Sequence, residues 1–282
     1  MVCGHYNLDA AIQIRIEPLM DTAALDAAHP SHSLRVYNPR MNELPLSGRT
    51  ALVTGGAVRL GRAIALGLAA HGADIALHYH SSEAVALKTV EEIHALGRKC
   101  IPVSADLRET EAPKKIFETA DAFFGKADIL VNSAAIFERG TLAGTTPELW
   151  EKTIAIDLRA PFFLCQAFAA QTDTGDIVFL ADARAERPAK EFLAYTLSKS
   201  ALITLARSLA KSLAPGIRVN AVAPSAILPP PGEGEEYLKR LIPRIPLGRP
   251  GTPDDIVRGV LYLLEAPFVT GEVLHIDGGE YI

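Results

Sequence analysis

Two residues that can move a proton stand four positions apart in a segment of helical character. They are Tyr195 and Lys199, in the run YTLSK. On an α-helix, residues i and i+4 share one face, so the phenol and the ammonium are expected to be neighbours. A nearby ammonium favours phenolate, and we therefore expect Lys199 to lower the pKa of Tyr195 and to suit it to proton transfer. Such a pair also occurs on solvated helix faces, so the spacing alone leaves both interpretations open.

A glycine-rich turn lies about 140 residues upstream of this pair. Residues 54–61 (TGGAVRLG) follow a short apolar run and precede a segment of helical spacing. Glycines let the backbone approach a pyrophosphate, and the N-terminus of the following helix offers unpaired N–H groups. Tight turns also use glycine for structural reasons. The position after the first strand of an alternating array nevertheless favours a dinucleotide site at Gly55, Leu60 and Gly61.

The end of the second apolar run carries the residues that would choose between NAD and NADP. A dinucleotide fold that binds NAD usually places an acid there, on the ribose 2′-hydroxyl. This chain has HYHSS instead, and the first acid is Glu83. Arg59, His80, Ser81 and Ser82 can receive a 2′-phosphate by charge and hydrogen bonds, so NADPH is the predicted cofactor. The alternative is that the two histidines are ordinary residues of one strand face. Two histidines are too few ligands for a metal, and no metal site is predicted.

Seven short apolar runs alternate with helical segments from residue 47 onward. The runs are 51–53, 74–80, 100–105, 128–131, 176–180, 218–223 and 272–276, and the longer helical segments include 82–96, 112–124, 147–171 and 193–213. Nearly continuous apolar runs are typical of parallel strands that are buried on both faces. The alternation predicts an α/β, Rossmann-type doubly wound fold, with a seven-stranded parallel sheet and helices on both faces in a single domain.

The amino-acid composition restricts the partners and the cellular location that are expected for this protein. The chain has 282 residues, with 28 Lys+Arg against 33 Asp+Glu and a net charge of −5, which disfavours nucleic acid as a partner. No apolar run approaches the roughly 18 residues of a membrane span, so no membrane association is expected. The N-terminus does not have the pattern of a secretory signal. Three widely spaced cysteines predict reduced thiols and a cytoplasmic location.

Residues 1–46 differ from the rest, because they show no repeating pattern. We predict a poorly ordered N-terminal extension, or a stretch read from an over-early start codon upstream of Met41. The alternative is a segment that docks on the body. Residues 47–282 are the predicted catalytic domain. Within that domain the run PPPGEG at 229–234 predicts a loop, and the stretch 226–245 is expected to close over the site.

Residues 47–282 resemble the short-chain dehydrogenase/reductase family. The motifs that carry the resemblance are residues 54–61, Asp106-Leu107, Asn132-Ser133-Ala134, Tyr195-x-x-x-Lys199, Arg218-Val219-Asn220 with Pro224, Val269-Thr270-Gly271 and Asp277-Gly278-Gly279. In that family the tyrosine is the acid/base, and the lysine binds the nicotinamide ribose and tunes the tyrosine. The resemblance further implies a set of cofactor contacts. Asp106 and Leu107 would flank the adenine, Asn132 would steady the strand beneath the cofactor beside Ser133 and Ala134, and Pro224, Ser225 and Ile227 would hold the carboxamide.

Departures from the family pattern point to one branch of it. Arg59 stands where the family usually has glycine, Asp182 where it has the catalytic serine, and Asp157 where it frequently has asparagine. Together with the HYH strand end, these residues resemble the pteridine reductases. That branch also has a phenylalanine at the position of Phe137, which sandwiches the pterin against the nicotinamide. The resemblance therefore implies substrate contacts from Arg59, Phe137, Asp182 and Tyr195. The simpler alternatives are a turn residue at Asp182, ordinary packing at Phe137 and a purely cofactor-binding Arg59.

The resulting prediction is an NADPH-dependent pteridine reductase that takes dihydropterins, and dihydrofolate as a further candidate, to the tetrahydro form. Tyr195 would donate the proton, Asp182 would hold and recharge Tyr195, and Lys199 would orient the ribose. The alternatives are a reductase of 3-oxoacyl thioesters or ketones on the same fold, and a non-catalytic NADPH-binding protein. Relatives in the family usually assemble through the two long helices, which implies a homotetramer.

Four further side chains stand near the predicted site, and the sequence leaves their roles open. Leu228 and Tyr237 are candidate substrate contacts in the loop. Arg184 follows Asp182 by two residues, and Arg187 lies three residues further on. A solvated surface position is the simpler interpretation of both arginines, and a contact with the acidic tail of a folate is the alternative.

Overall fold

The computed structural model of this chain describes residues 44–187 and 190–282. The predicted extension at 1–46 therefore falls almost entirely outside the described residues, and its order stays a prediction. Leu46 is an exception, because its side chain is buried in the core and its N–H donates to the carbonyl of His71 over 2.8 Å. The folded body thus includes at least this residue of the predicted extension.

Seven strands form one parallel sheet, as the alternating runs predict. They are β1 (Thr50–Val53), β2 (Asp74–Tyr79), β3 (Cys100–Ser104), β4 (Ile129–Asn132), β5 (Gly175–Leu180), β6 (Ile217–Pro224) and β7 (Val273–Ile276). Their order in the sheet is β3-β2-β1-β4-β5-β6-β7. In the central register Val53 lies between Leu77 and Val131, and every residue of β1 and β4 is buried, which explains the lack of polar alternation in these runs.

Helices cover both faces of the sheet, which confirms the predicted doubly wound α/β fold. They are α1 (Arg59–Ala70), α2 (Glu83–Ala95), α3 (Ala112–Phe124), α4 (Pro147–Ile154), α5 (Ala160–Gln171), α6 (Leu193–Ser212), α7 (Glu235–Lys239) and α8 (Pro253–Glu265). Helices α1, α2 and α8 contribute to one hydrophobic cluster, and α3, α5 and α6 contribute to a second. Successive residues of β1 alternate between the two clusters, since Val53 belongs to the first and Leu52 to the second.

The predicted helix 147–171 is interrupted by one wide turn. Residues Ala155–Arg159 form a π-helical segment between α4 and α5. The whole stretch Pro147–Gln171 is long and apolar enough, by length and composition, to cross a membrane, contrary to the expectation that no such stretch exists. In the structure it packs as a core helix, with Leu164 and Phe168 fully buried against the sheet.

Candidate active site

A cavity of about 460 Å³ opens at the carboxyl ends of the strands, beside the point where the strand order reverses between β1 and β4. In open α/β sheets, ligands bind in the crevice at this position. The structure brings nearly all predicted site residues to its wall: Gly55, Arg59, Leu60, Gly61, His80, Ser81, Ser82, Asp106, Leu107, Ser133, Ala134, Phe137, Asp182, Tyr195, Lys199, Pro224, Ser225 and Ile227. Asn132 is the exception. It lies beneath the floor, where its amide nitrogen contacts the Cys165 sulfur at 3.7 Å, and it does not line the cavity.

The glycine turn between β1 and α1 is packed too tightly for side chains. A Cβ atom at Gly61 would lie 2.2 Å from the carbonyl oxygen of Gly55. Gly55 itself has a φ of +62°, a conformation that glycine adopts without steric cost. The hydroxyl of Thr54 fixes the neighbouring loop, because it accepts the N–H groups of Ser133 and Ala134 over 3.0 and 3.1 Å. The turn after β1 and the turn after β4 therefore form one rigid floor.

Arg59 occupies the same turn under backbone strain. Its φ is +52°, in the left-handed region that favours glycine, and the family has glycine at this position. The guanidinium lies on the cavity wall and donates to the carbonyl of Pro229 over 2.8 Å. Arg59 thus ties the turn to the loop that follows β6, a contact that the sequence does not indicate.

His78 supports the glycine turn from β2, and sequence reasoning missed this role. The N–H of Gly55 donates to its Nδ1 over 3.2 Å, so the proton of the neutral ring is on Nε2, which lies 3.2 Å from the carbonyl of Ala105. Burial lowers the pKa of His78 to about 4, which keeps the ring neutral in this bridging role. In the sequence, the position of His78 one residue before the end of β2 was the feature that could have indicated this contact with the glycine turn.

The far end of the cavity gathers the residues that were predicted to receive a 2′-phosphate. His80, Ser81 and Ser82 lie just beyond β2, and His80 is more than half exposed. Its Nε2 lies 3.6 Å from the carboxylate of Asp106. That carboxylate is already paired with Arg108 over 2.5 Å, which lowers its pKa to about 2. Because Arg108 compensates the acid, this end of the cavity does not present an unpaired negative charge to a phosphate.

Three side chains converge at the other end of the cavity, where α6 meets β5. The hydroxyl of Tyr195 donates to Oδ2 of Asp182 over 2.8 Å. The other oxygen of this carboxylate accepts the backbone N–H of Arg184 over 2.7 Å, so Asp182 also caps the turn Ala183–Ala185. Asp182 is therefore both a turn residue and a hydrogen-bond partner of Tyr195, and its catalytic role stays a prediction. Lys199 is buried and donates to the carbonyl of Leu180 over 2.7 Å.

The expectation that Lys199 lowers the pKa of Tyr195 is wrong for the structure. Burial raises the pKa of Tyr195 well above its ordinary value, and the negative charge and hydrogen bond of Asp182 raise it further. Burial also lowers the pKa of Lys199, against the opposing effect of Asp157 and Asp182. The phenol is consequently a proton donor that stays protonated at neutral pH rather than a poised phenolate.

Asp157 lies in the π-helical turn directly behind this group. Its side chain is fully buried, and its Oδ1 accepts the N–H of Ile136 over 2.9 Å, which anchors the loop that carries Phe137. Its Oδ2 lies 3.5 Å from the hydroxyl of Ser198. Burial raises the pKa of Asp157 to about 6, although Lys199 acts in the opposite direction. The residue that the sequence left unexplained therefore couples the floor of the cavity to α6.

The ring of Phe137 lies on the cavity wall with one face already covered. Phe192 stacks on it with centroids 4.2 Å apart and planes at 7°, and the ring of Tyr195 meets its edge at 4.8 Å. Phe192 precedes α6 with a left-handed φ of +62°. The sequence missed Phe192, because nothing in it predicts this backbone turn. A ligand can use only the remaining face of Phe137.

Arg184 also faces the cavity, which corrects the simpler interpretation of a solvated surface residue. Its guanidinium carbon lies 5.1 Å from the centroid of Phe137 and 5.6 Å from that of Phe192, alongside the stacked pair. It donates to the hydroxyl of Tyr237 over 2.9 Å. Arg187 points elsewhere, since it donates to the carbonyls of Glu280 and Ile282 near the end of the chain.

The loop that follows β6 covers the cavity, as its breaker-rich sequence predicted. Leu228, Pro230, Pro231, Tyr237 and Leu241 line the cavity from this side. Arg59 holds the start of the loop at Pro229, and Arg184 holds α7 through Tyr237. At the base of the loop, Ser225 donates to the carboxylate of Glu280. These contacts place the loop over both ends of the cavity.

The cavity wall fits a dinucleotide on two structural grounds. Gly55 and Gly61 line the cavity without side chains, so the backbone of the turn can approach a pyrophosphate closely. The N-terminus of α1 has no side-chain cap and no acid in its first turn, so its N–H groups remain available to an anion. Within the described parts of the chain, no group of three or more histidine, cysteine, aspartate or glutamate side chains is placed to hold a metal ion.

Comparison with known proteins gives a consistent set of relatives. A family model described as enoyl-(acyl carrier protein) reductase matches residues 56–280. The chain is 34% identical over 251 residues to an L-rhamnose 1-dehydrogenase (NAD(P)(+)) of Sphingomonas sp. (strain SKA58), a match that covers 84% of this chain and 98% of the relative.

Two solved structures are similar over the same region. One is a blue fluorescent protein from a metagenomic library in complex with NADPH, with a TM-score of 0.79 and 37% identity over 84% of this chain and 99% of that one. The other is FolM alternative dihydrofolate reductase 1 from Brucella canis complexed with NADP, with a TM-score of 0.78 and 33% identity over 84% and 95% of the two chains.

Proposed function

The chain belongs to the short-chain dehydrogenase/reductase family of NAD(P)-dependent oxidoreductases, and from this premise we propose that it is an NADPH-dependent pteridine reductase. The observation that carries the proposal is the hydrogen bond of 2.8 Å between Tyr195 and Asp182, beside the ring of Phe137. A carbonyl reductase needs a hydroxyl to polarise a ketone oxygen. A pterin ring needs a proton on nitrogen, and a carboxyl–phenol pair can supply one.

Three residues of the chain would have separate roles in such a reduction. When bound, NADPH supplies a hydride to a carbon of the pterin carbon–nitrogen double bond. Tyr195 delivers the proton to the nitrogen, because its raised pKa keeps the phenol protonated at neutral pH. Asp182 accepts the phenol's hydrogen bond and, as a carboxyl whose pKa burial raises, returns a proton to Tyr195 after each turnover and takes a replacement proton from solvent through the cavity that it lines. Lys199, fixed to the carbonyl of Leu180, orients the ribose by its ammonium.

The preference for NADPH over NADH is part of the same proposal. Arg59, His80, Ser81 and Ser82 line the cavity and would receive the ribose 2′-phosphate. Asp106, the acid nearest to them, is compensated by Arg108. A guanidinium and hydroxyl groups recognise a phosphate through charge-assisted hydrogen bonds. The complexes of similar proteins with NADPH and NADP support this choice.

An NADPH oxidation assay with dihydrobiopterin and dihydrofolate tests the proposal. The wild-type protein is expected to oxidise NADPH with at least one of them, and Tyr195→Phe is expected to lose on the order of a hundredfold or more in kcat. Tyr262→Phe is the matched control, because Tyr262 is an exposed tyrosine on α8, away from the cavity. Pterin turnover that is unchanged in Tyr195→Phe would defeat the mechanism.

A second candidate function is reduction of a carbonyl, which the similarity to an L-rhamnose 1-dehydrogenase favours. This candidate predicts that ketones or 3-oxoacyl thioesters are turned over, that pterins bind poorly, and that Asp182→Ser raises the carbonyl activity. A non-catalytic role in binding NADPH is disfavoured, because Tyr195 and Lys199 would then have no use. Turnover assays of pterins and ketones with NADPH and with NADH distinguish these three candidate functions.

We further propose that the protein assembles into a homotetramer through α4, α5 and α6. These helices carry large apolar side chains that are exposed in the single chain: Trp150, Phe162, Phe163 and Leu197. Covering such residues is a common reason for assembly. Light scattering is expected to give four times the chain mass, and Phe163→Glu is expected to reduce it.

A further inference from the structure

The substrate end of the cavity holds a guanidinium that forms no salt bridge with a carboxylate of the described residues. The guanidinium of Arg184 lies alongside the stacked rings of Phe137 and Phe192. Among the described residues it forms no ion pair, and its one side-chain hydrogen bond is the donation to Tyr237. A guanidinium has five N–H donors, so most of them remain available in the cavity.

The nearest acid, Asp182, raises the pKa of Arg184 through its charge, against the opposing effect of burial, but no salt bridge joins the two side chains. Asp182 already accepts the backbone N–H of Arg184 at Oδ1 and the phenol of Tyr195 at Oδ2. Contacts with aromatic rings compensate a partly buried cation only in part. A charge that is withdrawn from water without a partner is costly, and such groups are usually paired by an anion. Arg184 therefore lacks a directly paired anion, at a position next to the reacting side chains.

We propose that Arg184 is a specificity-determining residue that selects substrates with an anionic group beyond the reacting ring. The inference rests on the proposed function and refines it. Among pterins it favours one with a carboxylate-bearing tail, such as dihydrofolate, over one with a neutral side chain, such as dihydrobiopterin. A planar guanidinium beside aromatic rings suits a carboxylate, which it can bind through two parallel hydrogen bonds. Tyr237 sets the orientation of the guanidinium and links it to α7.

Calorimetric titration of the NADP⁺-loaded protein with folate and with biopterin tests this selection. The wild-type protein is expected to bind folate about tenfold or more tightly than biopterin. In Arg184→Met, which keeps the contact with the rings, the loss in affinity for folate is expected to exceed the loss for biopterin by about tenfold or more. Arg184→Lys is expected to restore part of the difference, because it restores the charge without the planar fork.

The matched control is Arg139→Met. Arg139 also lies near the Phe192 ring, at 5.7 Å, but it pairs with Glu191 and does not line the cavity, so the folate-to-biopterin ratio should stay at the wild-type value. Equal losses for both ligands in Arg184→Met, or no preference in the wild-type protein, would overturn the inference.

Turnover separates this inference from the proposed function. If the wild-type protein reduces dihydrobiopterin but the titration shows no selection, the inference fails alone. If no pterin is turned over, the proposed function fails. The binding of acetoacetate and of its methyl ester to the wild-type protein and to Arg184→Met is then compared, and this titration decides the inference. Selection of acetoacetate by Arg184 would then support it, and equal binding of acid and ester would overturn it.

Discussion

The carboxylate of Asp182 and the phenol of Tyr195 form a hydrogen bond of 2.8 Å, in which the phenol donates. Asp182 comes from the loop after β5, and Tyr195 from the first turns of α6. Burial raises the pKa of both groups, so the pair holds protons more tightly than the free side chains do. The proposed reduction of a carbon–nitrogen bond needs a group that is still protonated at neutral pH, and the raised pKa values keep a proton on this pair.

The first prediction concerns the pH dependence of this pair. In the proposed mechanism the protonated carboxyl of Asp182 recharges Tyr195, so kcat for dihydrobiopterin is expected to fall as pH rises through the raised pKa of Asp182. Tyr195 itself stays protonated over the same range. In Asp182→Asn the fall is expected to disappear, and kcat at low pH is expected to drop by about tenfold or more. Steady-state rates between pH 5 and about pH 9 measure both effects.

The control for this experiment is Asp254→Asn, an exposed acid on α8 that pairs with Arg258 at 2.7 Å. Its pH profile should match that of the wild-type protein. A profile for Asp182→Asn that also matches the wild type would show that another group controls the proton.

The architecture was accessible from the sequence, because buried parallel strands and amphipathic helices have distinct periodicities. The helix that brings Tyr195 and Lys199 to one face was predicted from spacing alone, and α6 confirms its existence. How deeply the side chains of the site are buried could not be predicted from the sequence in the same way. Whether Lys199 or desolvation controls the pKa of Tyr195 depends on how tightly the surrounding loops close, and no local pattern records that.

The residues that sequence reasoning misjudged lie in the loop between β5 and α6. Arg184 enters the cavity because Asp182 caps a short turn and because Tyr237 receives the guanidinium from a distant loop. Phe192 reaches Phe137 through a left-handed backbone that a phenylalanine rarely adopts. Both placements depend on contacts between segments that are far apart in sequence, so only the folded structure reveals them.

The second prediction concerns the buried Asp157. Its pKa is raised from an ordinary 3.8 to about 6, so the folded state binds its proton more tightly than the unfolded state. The stability from this protonation is complete below about pH 4 and is lost as pH rises through about 6, a total of about 3 kcal/mol. Asp157→Asn keeps an acceptor for the N–H of Ile136 and avoids the buried charge. Its free energy of unfolding in urea should therefore exceed that of the wild type by about 1 kcal/mol more at pH 8 than at pH 5.

Asp173→Asn is the comparison for this measurement, because it makes the same substitution at an exposed position. A constant difference between Asp157→Asn and the wild type across this range would mean that Asp157 is not protonated on folding.

The third prediction separates the charge of Arg59 from its backbone strain. Arg59→Gly relaxes the left-handed φ of +52° and is expected to stabilise the fold by up to about 1 kcal/mol in thermal unfolding. The same change removes a guanidinium that we propose binds the 2′-phosphate, so the ratio of kcat/KM for NADPH over NADH should fall by about tenfold. Arg62→Ala is the control, since Arg62 follows on α1 but pairs with Glu92 outside the cavity. A cofactor ratio that is unchanged in Arg59→Gly would remove Arg59 from phosphate recognition.

The last prediction tests the tight turn itself. In Gly61→Ala the new Cβ would meet the carbonyl oxygen of Gly55 at 2.2 Å, and a backbone atom cannot move aside as a flexible side chain can. The turn must therefore open, at a cost of about 1–3 kcal/mol in unfolding free energy, and the Kd for NADPH is expected to rise about tenfold or more. Gly234→Ala has open space around the added methyl group and should change neither quantity much. Fluorescence titration with NADPH and urea unfolding measure the two effects. Normal NADPH binding by Gly61→Ala would contradict the placement of the pyrophosphate against this turn, because the close backbone approach is the reason that glycine is needed there.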